Sequence, residues 1–211
     1  MKKVIIIIIA FIAVCSSKGQ TIIERNIDCT GRESVDLGIE FADTIIIHTW
    51  KKKEVYTKAS VDINHNQDNQ VYQTSFEVDE KTVSVKATFE KDYFSEGKNN
   101  CIETMIVWEI FIPENISFSA STIDGNIIIE GKTKEIKAKS ISGFIDWTIM
   151  SDCNADMELK TISGTFYTDL DISDSDSKNK IPQILTYKIN NGGHIVKLET
   201  ISGDIFCRKS K

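Results

Sequence analysis

The chain has 211 residues, with 25 Lys and Arg against 31 Asp and Glu, which gives a formal net charge of −6 at pH 7. This acidic balance argues against a nucleic-acid-binding protein, because phosphate contacts need clustered basic side chains. The length suffices for one substantial domain or for two closely packed ones.

The N-terminus has the pattern of a secretory signal peptide. Met1–Lys3 is basic, and Val4–Val14 is an uninterrupted apolar run. The run is shorter than the roughly 20 residues that a transmembrane helix needs. A basic start followed by a short apolar core indicates a signal peptide. We therefore predict that residues 1–19 are removed and that the protein is exported to the periplasm, the cell surface or the medium.

The type of signal peptidase is open between two alternatives. Ser17 and Gly19 place small residues three and one before Gln20, which favours ordinary cleavage before Gln20. Cys15 follows the apolar core directly and allows lipidation instead, which would anchor the chain to a membrane. Val14 is larger than the residue usually found before a lipidated cysteine, so cleavage before Gln20 is the favoured prediction.

Four cysteines remain after residue 19: Cys29, Cys101, Cys153 and Cys207. An even number in an exported chain allows two disulfides, with the pairing undetermined. No C-x-x-C spacing of a zinc site occurs. We predict structural cysteines, either paired or buried.

The region 20–117 is rich in strand patterns, whereas helical periodicity is nearly absent. Residues 44–50 predict a strand buried on both faces, and residues 104–112 predict another apolar strand. Val71–Val78 and Thr82–Glu90 flank a turn at residues 79–81, and Thr82–Glu90 alternates apolar and polar side chains as a half-buried strand does. We predict an antiparallel meander here, with polar loops at 62–70 and 91–101.

The region 118–211 contains four copies of one pattern: Ser or Thr, Ile, Ser or Asp, Gly, any residue, then Ile or Phe. The copies are Ser121–Ile127, Lys139–Ile145, Lys160–Phe166 and Glu199–Ile205, and their glycines are 18, 21 and 39 residues apart. Self-similarity at a period of about twenty residues is typical of a solenoid. We therefore predict a β-solenoid, or β-helix-like, C-terminal half, with 20–211 forming one compact unit.

Apolar columns accompany the glycines at positions −7, −5, −2 and +2. Because −5 and −2 have opposite parity, the buried face must change between them, at a bend or bulge. The Ser or Thr at −3 lies at this change, where its hydroxyl can bond to local backbone. The glycine lets the backbone turn or approach its neighbour. Each unit would be two short strands around a corner, with the isoleucines at −2 and +2 inside.

The stretch between the third and fourth copies departs from the period. Residues 169–190 are either a loop insertion or a degenerate repeat, and the sequence leaves both open. Within this stretch, alternating carboxylates could wrap a calcium ion, although the glycine and glutamate of an EF-hand loop are missing. The favoured interpretation is a solvated loop with no metal. The carboxylates are Asp169, Asp171, Asp174 and Asp176.

At these motifs, over residues 104–207, the chain resembles the putative adhesin domains of bacterial envelope proteins, which carry a T-x-S-G-x-I signature about every twenty residues. The resemblance implies a β-helix-like fold with no enzyme activity, no cofactor and no characterised ligand. The irregular stretch 169–190 departs from the regular helix that the family implies.

Residues that could carry chemistry are scattered. His48, His65 and His194 have no partner at the spacing of a ligand set or a catalytic triad, and no G-x-S-x-G elbow occurs. We therefore nominate no catalytic, cofactor-binding or metal-binding residue. The +1 positions of the repeats should point outward, in a ladder that can bind sugars or be plain surface: Asn126, Phe144, Thr165 and Asp204.

Trp147, at +4 of the second copy, is predicted to fill the core. Trp50 and Trp108 lie in apolar strands, away from the polar loops where a tryptophan would stack on a sugar.

These patterns predict a non-enzymatic exported envelope protein, an adhesin or structural scaffold, whose partner is a glycan or another envelope component. The alternative is a β-helix protein that binds or acts on polysaccharide through one face, in which case a pair of carboxylates would lie in a cleft. A periplasmic partner of a signalling system is a third class, which no sequence feature favours.

Overall fold

The computed structural model describes residues 19–91, 93–94, 102–132, 134–170 and 182–210. The predicted signal segment up to residue 18 lies outside these residues. So do Cys15, Cys101 and the carboxylates Asp171, Asp174 and Asp176.

Fifteen strands and one short 3₁₀ helix, Asn69–Val71, make up the described chain. No described helix is long and apolar enough to cross a bilayer. The strands are β1 Thr21–Asp28, β2 Ser34–Ile39, β3 Phe41–Trp50, β4 Glu54–Ile63, β5 Tyr72–Val78, β6 Thr82–Phe89, β7 Thr104–Pro113, β8 Ser117–Glu130, β9 Ile136–Ser142, β10 Ile145–Ile149, β11 Ala155–Thr161, β12 Phe166–Thr168, β13 Gln183–Ile189, β14 His194–Ser202 and β15 Ile205–Lys209.

All fifteen strands join into one mixed sheet that does not close on itself, which confirms the all-β class. The sheet has two ladders of parallel strands. The first runs β6–β2–β8–β9–β14–β11, and the second runs β7–β3–β8–β10–β15–β12. The long strand β8 belongs to both. Antiparallel strands extend the ladder ends: β5 and β13 on the first, β4 and then β1 on the second.

The two ladders divide the molecule into six layers, each of which contributes one strand to each ladder. In spatial order the layers are β6 with β7, β2 with β3, β8 alone, β9 with β10, β14 with β15, and β11 with β12. The first two layers occur in the reverse of their order along the chain, and so do the last two. This order explains the 39-residue spacing between Gly164 and Gly203. After β12 the chain first forms the antiparallel strand β13, and only then inserts β14 and β15 between two earlier layers.

The N-terminal region is not the antiparallel meander that we predicted. Only β1, β4, β5 and their partners pair antiparallel, whereas β2 and β3 have parallel partners on both sides. The reason is that β3 continues β2 around a corner at Glu40 instead of folding back on it. The predicted turn at Asp79 is present, because its carboxylate accepts the amide protons of Lys81 and Thr82, both at 2.7 Å.

The core lies between the two ladders. Residues at −7 pair with each other across the first ladder, as in Phe118 opposite Ile136. Residues at −5 do the same, as in Leu159 opposite Leu198. All eight residues of these two columns are buried. The +2 residues pair across the second ladder, and three of the four are buried, Phe166 being partly exposed.

The column at −2 contradicts the prediction that it lies inside. Ile123, Ile141 and Ile162 are 41%, 39% and 42% exposed. The Ser and Thr residues at −3 are buried instead, and their hydroxyls donate to backbone carbonyls at the corner. Ser140 donates to Gly125 O at 3.0 Å and Thr200 to Gly203 O at 2.7 Å. Because these bonds satisfy the hydroxyls, a polar side chain can occupy the corner and the isoleucine turns outward.

The corner glycines lie against each other from layer to layer. A methyl group on Gly203 would stand 2.0 Å from the Gly143 carbonyl oxygen, and one on Gly164 would stand 1.9 Å from that of Gly203. These distances are far below van der Waals contact. Close approach between layers is therefore the reason that glycine occupies this position.

Candidate binding face

The side of the second ladder that points away from the core carries two groups of aromatic side chains with charged groups beside them. We call it the outer face. Strand pairing brings Tyr56 of β4, Phe111 of β7, His48 of β3 and Glu130 of β8 into one row across it. These residues alternate along their strands with buried neighbours such as Ile47 and Ile110.

Four rings form the first aromatic group, which we call the Trp50 cluster: Trp50, Tyr56, Phe111 and His48. Phe111 is central. Its ring centroid lies 4.8 Å from that of His48, 5.1 Å from Trp50 and 6.0 Å from Tyr56. All four side chains are partly exposed. Aromatic pairs at such distances attract one another, so the cluster is a firm, half-exposed apolar platform.

Charged groups surround the Trp50 cluster. The imidazole Nδ1 of His48 lies 3.2 Å from Glu130 Oε2, and its Nε2 lies 3.9 Å from Glu109 Oε1. The ammonium of Lys52 stands 4.3 Å above the Trp50 ring. Desolvation, and then the nearby Glu24 carboxylate, raise the pKa of the Tyr56 hydroxyl. The platform therefore has hydrogen-bonding groups of both signs at its edge.

A second group of rings lies farther along the same face. Phe206 of β15 stacks on Tyr167 of β12 at 5.0 Å and meets Phe144 edge-on at 5.8 Å. Three strand spacings of about 4.8 Å separate β3 from β15, and Phe206 is level with Ile46, two residues before His48. The two groups therefore lie at least about 16 Å apart. Between them, Arg208 covers the buried carboxylate of Asp146, to which its Nε donates at 3.1 Å.

The histidines are not brought together. His48 lies in β3, His65 in the turn after β4 and His194 at the start of β14. His65 is exposed, as predicted, and lies 3.7 Å from Glu103. Within the described residues no group of three or more His, Cys, Asp or Glu is placed to hold a metal. The Asp169 carboxylate accepts the Lys209 amide proton at 2.9 Å.

The +1 residues have a structural role in addition to their exposure. Asn126 Oδ1 accepts the Phe144 amide proton at 3.2 Å, and Asp204 Oδ1 accepts that of Thr165 at 2.8 Å. Each of these bonds joins two neighbouring layers. Two members of the +1 ladder, which the sequence left open as a sugar-binding surface or as plain surface, therefore help to hold the layers together.

The three cysteines within the described residues, Cys29, Cys153 and Cys207, are free and so do not form the predicted alternative of two disulfides. Cys29 and Cys207 are buried, which agrees with a structural role. Burial raises the pKa of the Cys207 thiol to about 12. Cys153 is half-buried, and burial raises its pKa as well.

The Trp50 cluster was missed by the sequence interpretation, which placed residues 44–50 in a strand buried on both faces. In the structure Ile45 and Ile47 are buried, whereas His48 and Trp50 are only partly so. The alternation of side chains along the strand could have indicated the exposed face, because Trp50 and His48 lie on the same side as the polar Thr44. Trp147 is buried, as predicted.

Comparison with known proteins yields structural likeness alone. No family model matches the chain, and no curated protein matches it. A "putative cell adhesion protein" from Clostridium sporogenes has 13% sequence identity and a TM-score of 0.57, over 90% of this chain and all of its own. A "putative adhesin" from Bacteroides fragilis has 11% identity and a TM-score of 0.34, over 92% of this chain and 99% of its own. A "putative lipid binding protein" from Parabacteroides distasonis has 10% identity and a TM-score of 0.27, over 90% of this chain and 97% of its own. The first of these shows the fold that this chain shares.

Proposed function

We propose that this chain is a non-enzymatic, exported binding protein of the cell envelope, which attaches to glycan through its outer face. The layered part of the molecule serves as a stiff, solenoid-like scaffold for that face. The observation that carries the proposal is the half-exposed Trp50 cluster. Four rings from three adjacent strands meet there on the side away from the core, where packing of the core does not require them.

Glycan suits this face chemically. One side of a sugar ring presents C–H groups, which pack on aromatic rings, while its hydroxyls bond to polar groups at the edge. Glu109 and Glu130 supply acceptors beside the platform, and Lys52 supplies a donor. The net charge of −6 disfavours strongly anionic polymers, so the expected partner is a neutral or basic polysaccharide. A chain of about 16 Å or more would reach both aromatic groups.

A polysaccharide-acting enzyme is the alternative, and one observation bears on it. Glu109 and Glu130 flank His48, and glycosidases also use two carboxyl groups on either side of the reacting bond. Both glutamates, however, are about half exposed on an open strand surface. An open surface does not enclose a sugar between two carboxyl groups as the cleft of a glycosidase does, which favours binding over hydrolysis.

The test is affinity electrophoresis of the chain from Gln20 through gels that contain neutral, basic or acidic polysaccharides. We expect retardation by a neutral or basic polymer, weakened about 3- to 10-fold by Trp50→Leu or Phe111→Leu, since a stacked ring contributes about 0.5–1.5 kcal/mol. Phe94→Leu is the control, because Phe94 is exposed and packs in a different cluster, with Phe41 and Phe89. Retention that these cluster variants do not alter would refute the proposed site. Release of reducing ends would establish the enzyme instead.

Export has its own test, which does not depend on the ligand. The intact mass and N-terminal sequence of the protein from its host's envelope are expected to show a chain that starts at Gln20. A start at a lipid-modified Cys15 would make it a membrane-anchored lipoprotein. An uncut Met1 would refute export.

A further inference from the structure

The two ladders end one strand out of step with each other. Within the described residues each ladder has eight strands, β5–β6–β2–β8–β9–β14–β11–β13 and β1–β4–β7–β3–β8–β10–β15–β12. Because β5 is level with β4, strand β1 extends the second ladder one strand beyond the first. At the other end β11 is level with β12, so β13 extends the first ladder one strand beyond the second. Each end of the molecule is therefore a step, and the two steps are complementary.

A second copy of this chain fits against each step. Strands β5 and β13 both run opposite to the parallel strands of the first ladder, whereas β1 and β12 both run with those of the second. A copy set further along the same axis would therefore place its β5 parallel to β13 of the first copy, and its β1 parallel to β12. The joint layer would hold β13 of one copy opposite β1 of the next, just as an internal layer holds one strand of each ladder.

The side chains of the two longer edges match in the register that pairs all seven residues of β5 with all seven of β13. This register keeps core-facing side chains beside core-facing ones, as the alternation along strands requires. Phe76 then lies beside Tyr187 on the core side. On the outer side Glu77 lies beside Lys188, so that opposite charges meet.

Both ends expose apolar side chains that such a contact would cover. Val78 at the end of β5 is 47% exposed. Six further side chains at the two ends are only partly buried against the core: Ile23, Ile27 and Phe76 at one, and Phe166, Leu170 and Tyr187 at the other. Strand edges are commonly blunted by proline or bulges, but β1, β5 and β13 contain no proline and pair in regular register. Arg25 lies over the Phe76 ring at 5.6 Å. The contact has to take in this guanidinium, so we expect weak, concentration-dependent association.

We propose that copies of this chain associate head to tail through these stepped ends, with β13 of one copy adding to β5 of the next and β1 of the next adding to β12. Such a contact is heterologous and repeats without closing, so it builds an open filament. Each copy advances the filament by eight strand spacings, about 38 Å. The outer face lies along the side of the filament and recurs at this interval. Association does not depend on glycan binding, so either property can be tested without the other.

Sedimentation velocity of the chain from Gln20, over a range of protein concentrations, tests the proposal. We expect a broad series of species whose mean mass grows with concentration. Val78→Glu places a carboxylate on the core side of the β5 edge, and the cost of burying that charge should keep the protein monomeric. Met105→Glu is the matched control, because Met105 is 61% exposed in β7, away from both ends, and should leave the series unchanged.

A charge exchange tests the pairing of β5 with β13. Glu77→Lys and Lys188→Glu each place like charges side by side and should weaken association about 2- to 5-fold. The double variant, which has the native net charge, should restore it.

A monomer at every concentration, or association that Val78→Glu does not reduce, would overturn the proposal. A dimer that does not grow further would overturn the head-to-tail geometry, and no recovery in the double variant would overturn the pairing of β5 with β13.

Discussion

Gly143 lies so close to Gly125 of the preceding layer that a methyl group on its Cα would stand 2.1 Å from the Gly125 carbonyl oxygen. Its φ of 137° is also one that L side chains rarely adopt. Both facts make this corner intolerant of any side chain, because the contact is with backbone that neighbouring strands hold in place.

Gly143→Ala should therefore lower the free energy of unfolding by about 3 kcal/mol or more, since overpacking and backbone strain each cost about 1–3 kcal/mol. The matched control is Gly38→Ala in β2, where the new methyl would lie 3.6 Å from a Lys86 side-chain carbon. There we expect a change within about 1 kcal/mol. Urea denaturation of both variants measures the difference, and equal losses would contradict the stacking of the corners.

The outward isoleucine column yields a second prediction. Ile145→Ala should destabilise the protein by about 2–5 kcal/mol, because Ile145 is fully buried between the ladders. Ile141→Ala should cost about 1 kcal/mol or less, since that side chain is 39% exposed. The sequence interpretation expects similar losses at both positions. Thermal or urea unfolding of the pair decides between the two views.

The ion pair between Asp146 and Arg208 is asymmetric, because the carboxylate is buried and the guanidinium is mostly exposed. Arg208→Ala leaves a buried charge without its partner, and we expect a loss of about 3 kcal/mol. Asp146→Asn removes the charge but keeps an acceptor for Arg208, so about 1 kcal/mol is expected. If the two variants lose the same stability, the burial of Asp146 does not control the energetics of the pair.

Cys207 predicts a dependence of stability on alkaline pH. Its pKa is about 12 in the folded protein, above the ordinary value of 9.0. Between these values the unfolded chain releases a proton that the folded chain keeps, so stability is full below pH 9 and falls as the pH rises toward 12. From pH 7 to pH 10, the native protein should lose about 1.4 kcal/mol more than Cys207→Ala does. Parallel pH dependence in the two proteins would show that Cys207 is not the group responsible.

The sequence predicts the strands well and the corner poorly. Period-2 alternation places Val83, Val85 and Ala87 in the core, where they are buried. At the corner, the repeat pattern wrongly predicts that Ile141 lies inside, since it is 39% exposed, whereas the predicted bond from the −3 hydroxyl to backbone is present at the buried Ser140. The hydrogen bond from Ser140 to Gly125 O joins residues of different layers. The sequence pattern predicts a bond from this hydroxyl to local backbone, but it does not show that the acceptor lies in the neighbouring layer.

The candidate binding face was out of reach for a related reason. His48 and Tyr56 lie in the consecutive strands β3 and β4, but they join one cluster only because Phe111 of the distant strand β7 lies between them, through the pairing of β4 with β7 and of β7 with β3. Layer order could not be predicted either. The −5 residues of β11 and β14 are both leucine, and those of β8 and β9 are both alanine, so nothing in these columns fixes which layer lies beside which.

The exchanged order of the last two layers has a consequence for synthesis. A growing chain that has reached residue 190 has made β9 with β10 and β11 with β12, but not the layer that separates them. Their matching columns would let β11 pair with β9 directly, and this contact must open again before β14 can enter. Such a temporary wrong pairing slows folding and leaves open strand edges that can join other chains. A chain kept unfolded until residues 194–209 have been synthesised would avoid the wrong pairing of β11 with β9.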